Sequence, residues 1–313
     1  MNAPLTAPLI APEWLWIPVT LWAAFAQTLR NAAQRSLTAE LGTLGATLVR
    51  FLYGLPFALL WLLAVQAAGG FSLPKANLAF LAWVSFGGLS QIVATALLLR
   101  VMEERNFTLG VAYSKTEIIQ VAVFGLVVLG DPVTVTTALA VGCGTLGVLL
   151  LSPADRERPF RTMLTGWTSM PALLGLASGA FFAFSAVGYR GAALALGDTP
   201  FPMAAAVTLV VAQSLQTVVL GGWLLVRDPS VVRRVFGAWR KSFFAGFMGA
   251  AASAGWFTAM AIEPVAHVRT LGLVELLFAS VISRRIFRER LSRPEIAGMA
   301  LLTLGLVIVT LAR

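Results

Sequence analysis

The chain has 313 residues, 58% of them hydrophobic and 12% charged, and its mean hydropathy is +0.84. A soluble globular domain carries about twice that share of charge, so the composition excludes a soluble enzyme, a secreted disulfide scaffold and a disordered protein. The net charge of +9 leaves nucleic-acid binding open until the charges are located, whereas a single cysteine, Cys143, and a single histidine, His267, exclude an intrachain disulfide and a Cys/His metal cluster.

A bilayer core of about 30 Å takes about 20 largely apolar residues per helix. Residues 1–13 read as a short N-terminal tail with three prolines and no Lys or Arg. That tail lacks the basic region of a signal peptide, so the first span is expected to be retained. Ten spans follow, at approximately 14–29, 42–67, 77–99, 107–129, 132–151, 171–196, 201–226, 243–262, 264–286 and 295–311. The first is the shortest and has room to extend through Arg30 and Asn31. Asp131-Pro132 and Glu263-Pro264 are the tightest breaks, because proline ends one helix and starts the next. The expected fold is an all-α integral membrane protein. Its first five-helix unit covers 14–151, a cytoplasmic linker covers 152–170, and a second five-helix unit covers 171–313.

The charges sort by side. Arg30, Arg35, Arg100, Arg105, Arg156, Arg158, Arg161, Arg227, Arg233, Arg234, Arg240, Lys241, Arg284, Arg285, Arg288, Arg290 and Arg293 fall in or beside loops 1–2, 3–4, 5–6, 7–8 and 9–10. The opposite side holds Lys75, Arg190 and Arg313. Seventeen against three is a strong positive-inside bias, which places the first set in the cytoplasm and both termini outside. Basic residues in short juxtamembrane loops answer to topology and anionic lipid, so nucleic acid is not expected as a partner.

A shift of 158 residues lays helices four and five on nine and ten. Glu117 falls on Glu275, Asp131 on Glu289, and Thr145-Leu146-Gly147 on Thr303-Leu304-Gly305, while Ala23-Ala24-Phe25-Ala26 aligns with Ala180-Phe181-Phe182-Ala183 one residue off that shift. An odd number of spans per half inverts one half relative to the other, an organisation common among secondary transporters. With these residues the chain resembles the EamA-like permeases of the drug/metabolite transporter superfamily. Their repeat carries a late glutamate, an acidic residue about fourteen positions on, and a glycine-rich closing helix. Here those are Glu117, Asp131 and Gly147, then Glu275, Glu289, Gly298 and Gly305. The chain departs from the pattern at Ile118 and Leu276, where proline often stands, and at Arg288, where glycine usually precedes the acid. The resemblance implies ten transmembrane helices in two inverted repeats. It also implies a carrier of small organic metabolites, frequently amino acids and often outward.

Five charges stay inside the spans: Arg50, Lys115, Glu117, Arg269 and Glu275. Intramembrane ionisable residues face a bundle interior or wet cavity and mark transport pathways by default. Each glutamate reads equally as a structural acceptor or as a working group. Lys115 aligns with Leu273, so its charge breaks the symmetry and makes it the first candidate for substrate recognition. On a continuous helix Lys115 and Glu117 lie on different faces, while Tyr113, Glu117 and Gln120 share one. Gln91 is an isolated amide, and Gln213 and Gln216 form an i,i+3 pair. His267 reads as an interfacial hydrogen-bonding residue before a proton relay.

Trp14, Trp16, Trp83, Trp223 and Trp239 read as interfacial anchors. Trp22 and Trp256 lie deeper, placed to line a cavity or to pack the core. Helix eight is dense in small residues that permit close approach. No metalloprotease motif, phosphate-binding loop or triad is present, so no enzyme, cofactor or metal is expected.

The expectation is therefore an inner-membrane carrier working by alternating access, with lipid and a small-molecule substrate as partners. A proton is the candidate coupling ion and a monomer is favoured. The expected substrate-binding set is Lys115, Glu117, Tyr113, Gln120, Arg50, Gln91, Trp22 and Trp256. Glu275, Arg269 and His267 serve coupling or structure. An exporter of cationic or lipophilic drugs and a non-transporting structural membrane protein are the alternatives.

Overall fold

The structure is a computed structural model. It describes residues 11–104, 114–115, 117–124, 126–127, 134–151 and 170–287, with short runs at 297–298, 300–301, 303–305 and 307–308. Every regular element among them is helical. These are α1 (Trp16–Leu52), α2 (Leu55–Gly69), α3 (Leu78–Glu104), α4 (Glu117–Phe124), α5 (Val135–Leu151), α6 (Met170–Ala195), α7 (Phe201–Arg227), α8 (Pro229–Gly237), α9 (Trp239–Ile262), α10 (Val265–Leu271) and α11 (Val274–Phe287).

Five helical stretches among the described residues are long and apolar enough to cross a membrane: Trp16–Gly69, Leu78–Glu103, Leu173–Ala195, Phe201–Arg227 and Trp239–Ile262. The first has 54 residues, far more than the roughly 20 a single crossing takes. It doubles back at Gly42, whose φ of 70° and ψ of 169° are open to glycine at low cost. Gln34 Nε2 donates to Ala46 O across that bend at 2.8 Å, where a straight helix would hold residues twelve apart at about 18 Å. The span boundary expected at residue 42 is therefore where the chain turns, but the first span runs on to Leu41 rather than ending near Leu29.

That extension corrects the charge sorting. Arg30 lies within α1 and is 1% exposed, so it belongs to the buried set and not to a loop. Trp16, expected as an interfacial anchor, is buried against the His267 ring at 6.4 Å. Trp14, Trp223 and Trp239 are exposed.

Among the described residues the two most extensive helix pairs are α1 with α9 and α3 with α6. Glycine makes both possible. A Cβ at Gly255 would stand 2.8 Å from Ala23 Cβ, and one at Gly188 would stand 2.7 Å from Gly87 Cα. Backbones meet there with nothing between them, so dispersion replaces side-chain interlock.

Tertiary contacts sort the helix ends into two groups. At one end Lys241 Nζ meets Glu40 Oε2 at 3.0 Å, and Thr43 Oγ1 donates to Glu103 Oε2 at 2.8 Å. At the other, Asn77 Nδ2 donates to Ala195 O at 2.7 Å, and Arg190 Nη1 donates to Met260 O and Glu263 O at 2.8 and 2.9 Å. Between them the outer faces carry large apolar side chains such as Leu60, Leu63, Val218 and Leu225, and the polar side chains Arg30, Arg50, Gln91, Gln213 and Glu275 are buried. Apolar outside and polar inside is the arrangement a hydrocarbon solvent selects.

Candidate functional site

Glu117 and Glu275 each stand in the first turn of a helix that follows a break. Helix nine was expected as one continuous span over 264–286. It is instead α10, a turn at Gly272-Leu273, and α11. In the first half Lys115 occupies a turn, and α4 begins at Glu117. The breaks are 158 residues apart, and the same bond closes each: Ile118 N donates to Lys115 O, and Leu276 N donates to Leu273 O. A carboxylate in a first helical turn is favoured by the orphan amides there.

The break at Lys115 overturns the expected separation of Lys115 and Glu117 onto different faces. That argument needs unbroken helix through 115–117, and the turn removes it. Both side chains line one small cavity with Gln27, Asn31, Arg269 and Glu275. Two ion pairs cross it. Lys115 Nζ lies 2.5 Å from Glu275 Oε2, and Arg269 Nη1 lies 3.6 Å from Glu117 Oε1. Each carboxylate thus takes its cation from the other broken helix. Lys115 has no counterpart at Leu273, but Arg269 restores the balance from four positions before it.

Helix α1 completes the cluster. Gln27 Nε2 donates to Glu275 Oε2 at 2.8 Å and Asn31 Nδ2 to Glu275 Oε1 at 2.9 Å. Trp256 Nε1 donates to Gln27 Oε1 at 2.9 Å, and Arg269 lies over the Trp256 ring at 4.9 Å. Glu275 therefore accepts three hydrogen bonds, as a buried carboxylate requires if its charge is not to cost several kcal/mol. The cavity has room for about one water molecule, so the cluster is occluded.

The remaining expected residues are placed as follows. Arg50 is buried at 2% exposure, donating to Thr95 Oγ1 at 3.1 Å and Ser253 Oγ at 3.5 Å. Gln91 is not isolated: its Oε1 accepts from Tyr189 Oη and from Gln216 Nε2, both at 2.9 Å. Gln120 is half-buried on α4. His267 Nδ1 lies 2.6 Å from Glu263 Oε1, near one end and away from the central cavity. Trp22 is 49% exposed and lines an apolar groove of about 670 Å³ with Phe57, Trp61 and Phe247, apart from the ionic cluster. Tyr113, Asp131 and Glu289 lie outside the described residues.

Sequence reasoning missed Gln27, Arg30 and Asn31. The signal was available, since Gln27, Asn31, Gln34 and Thr38 recur at helical spacing. It was obscured by ending the first span at Leu29.

Spans with apolar exteriors around a buried, charge-bearing centre define a multi-pass membrane protein. Residues 169–311 match the model of the EamA-like transporter family. The crystal structure of another protein matches it with a TM-score of 0.68 over 95% of this chain and 96% of that one, at 15% identity. At that identity the likeness concerns the fold alone. No curated protein matches the sequence.

Proposed function

We propose that the protein is a secondary carrier of the inner membrane, built as ten helices in two inverted five-helix repeats. It moves a small carboxylate-bearing metabolite, most readily an amino acid, outward by alternating access. The observation that carries this reading is the crossed pair of ion pairs between two broken helices, Lys115 with Glu275 and Arg269 with Glu117. Broken helices meeting at mid-membrane are how many carriers expose polar groups to a substrate. Further support comes from packing, because the 158-residue shift carries α1 onto α6 and α3 onto α9. It therefore exchanges the two most extensive helix pairs, α1–α9 and α3–α6.

The chemistry suits a zwitterion. Among the described residues the cluster compensates its own charges when closed. A substrate with one carboxylate and one ammonium replaces a partner of each sign, its carboxylate meeting Lys115 or Arg50 and its amine meeting Glu117 with Tyr113. Charge stays balanced through the exchange, which avoids the cost of a bare ion in low dielectric. A proton on one glutamate is the coupling ion. The loop charges, sixteen against three once Arg30 is counted inside, support an orientation with both termini outside.

The cationic-drug alternative draws on the apolar groove beside Trp22, but none of the described residues lining that groove is acidic. The test is flux. Proteoliposomes loaded with pooled amino acids and organic acids are expected to lose a carboxylate-bearing compound selectively, by mass spectrometry of the retained pool. Lys115→Ala and Glu117→Gln are each expected to slow that loss at least about tenfold, the worth of one charge-assisted hydrogen bond. Unchanged kinetics in both variants would remove the site assignment.

A further inference from the structure

Lys115 and Arg269 have carboxylate partners; two other buried cations have none among the described residues. Arg30 Nε and Nη2 both donate to the neutral Asn31 Oδ1, at 3.2 and 2.7 Å, and Arg30 Nη1 has no acceptor among the described residues. Among the described residues Arg50 donates to the hydroxyls of Thr95 and Ser253, lies 5.4 Å from the Phe51 ring centroid, and has no acceptor for its Nε. Both side chains are at most 2% exposed.

They also converge. A Cβ at Gly249 would lie 3.2 Å from Arg50 Cγ and 3.5 Å from Arg30 Cδ, which puts those two carbons no more than about 7 Å apart. Gly249 is ten residues into α9, about 15 Å from its start and near mid-membrane. No carboxylate is within bonding reach of either guanidinium among the described residues. Glu275 is reached from Arg30 only through Asn31, and its own oxygens are already taken by Lys115, Gln27 and Asn31.

We propose that Arg30 and Arg50 together form an oxyanion subsite on the Gly249 face of α9, taking the carboxylate of a small organic acid. Two planar guanidinium forks with unused donors match a bidentate oxyanion in geometry and charge. Buried guanidinium groups cannot shed their charge as a lysine does, so a bound anion is what compensates them. Asn31 ties this subsite to the ionic cluster, since it accepts from Arg30 and donates to Glu275. The assignment rests on the carrier reading only in identifying the anion as part of the transported compound.

The test uses the purified full-length protein in detergent, with melting temperature followed at constant ionic strength against sodium chloride. Acetate, longer monocarboxylates, phosphate and sulfate are titrated separately. The subsite predicts saturable stabilisation by oxyanions, with apparent affinity falling about tenfold or more in Arg30→Gln and in Arg50→Gln. Saturation by carboxylates identifies a substrate group; saturation by phosphate alone identifies an inorganic or phosphorylated source. If a glutamine variant does not fold, Arg30→Lys and Arg50→Lys keep the charge, lose the fork and should weaken carboxylates in the same way. No oxyanion effect beyond chloride, or the same effect in all variants, overturns the subsite. Anion binding without flux in proteoliposomes would instead reject the carrier reading and leave the subsite standing.

Discussion

Glu275 is the residue on which most of the interior depends. It holds Lys115 and accepts from Gln27 and Asn31, and Gln27 in turn accepts from Trp256. Removing one member of a buried ion pair costs about 3–5 kcal/mol, because the survivor is left uncompensated. Glu275→Gln is therefore expected to lower the melting temperature of the purified protein more than Glu117→Gln, whose 3.6 Å contact with Arg269 is looser. The double variant Lys115→Met/Glu275→Leu should recover much of the loss, since neither charge then remains buried. Equal losses in the two single variants, or an additive double variant, would mean that the Lys115–Glu275 pair carries no special weight. The sequence singled out Lys115, Glu117, Glu275 and Arg269 as intramembrane charges, but not which meets which. Pairing depends on breaks at Lys115 and at Gly272-Leu273, and no proline or glycine cluster announces the first of them.

At the level of the helices, close backbone approach decides the architecture. Gly188→Leu places a branched side chain where Gly87 Cα already stands 2.7 Å away, so α3 and α6 must separate. Overpacking of this kind costs about 1–3 kcal/mol, and a lowered melting temperature with slower flux is expected. Gly142→Leu, where no described residue lies within 4 Å, should be close to neutral. A similar fall at both positions would count against packing as the cause. The link between α7 and α8 gives a pH-dependent case. Asp228 caps α8 by accepting from Ser230 N at 3.1 Å, and the Ser230 hydroxyl bond holds its carboxyl below the usual range. The cap is thus complete above the ordinary aspartate pKa and is lost as pH falls through the lowered one. Amide protection at Ser230 and Val231, with the intrinsic pH dependence of exchange divided out, should fall over that acid range in the parent and stay flat after Asp228→Asn. Element positions were largely readable from hydropathy, and the second span was expected to begin at Gly42, where the chain turns. The reach of the first span to Leu41 was not, because Gln27, Arg30, Asn31 and Gln34 lower the hydropathy of a stretch that buries its polar face inward.

For the whole molecule, the apolar exterior, the two sorted helix ends and the buried ionic centre are what the proposed alternating access requires of a carrier between its open states. The alternative of a purely structural membrane protein shares the fold but keeps the centre closed at all times. Accessibility of the centre separates the two most directly. In a Cys143→Ser background, Ser114→Cys, beside the ionic cavity, and Ser253→Cys, beside Arg50, place small thiols at the centre. The account predicts that membrane-impermeant maleimide labels both positions from each side of oriented vesicles, and that a transported carboxylate slows the labelling. Thiols that stay unlabelled from both sides, while an exposed control such as Ser36→Cys reacts, would contradict it.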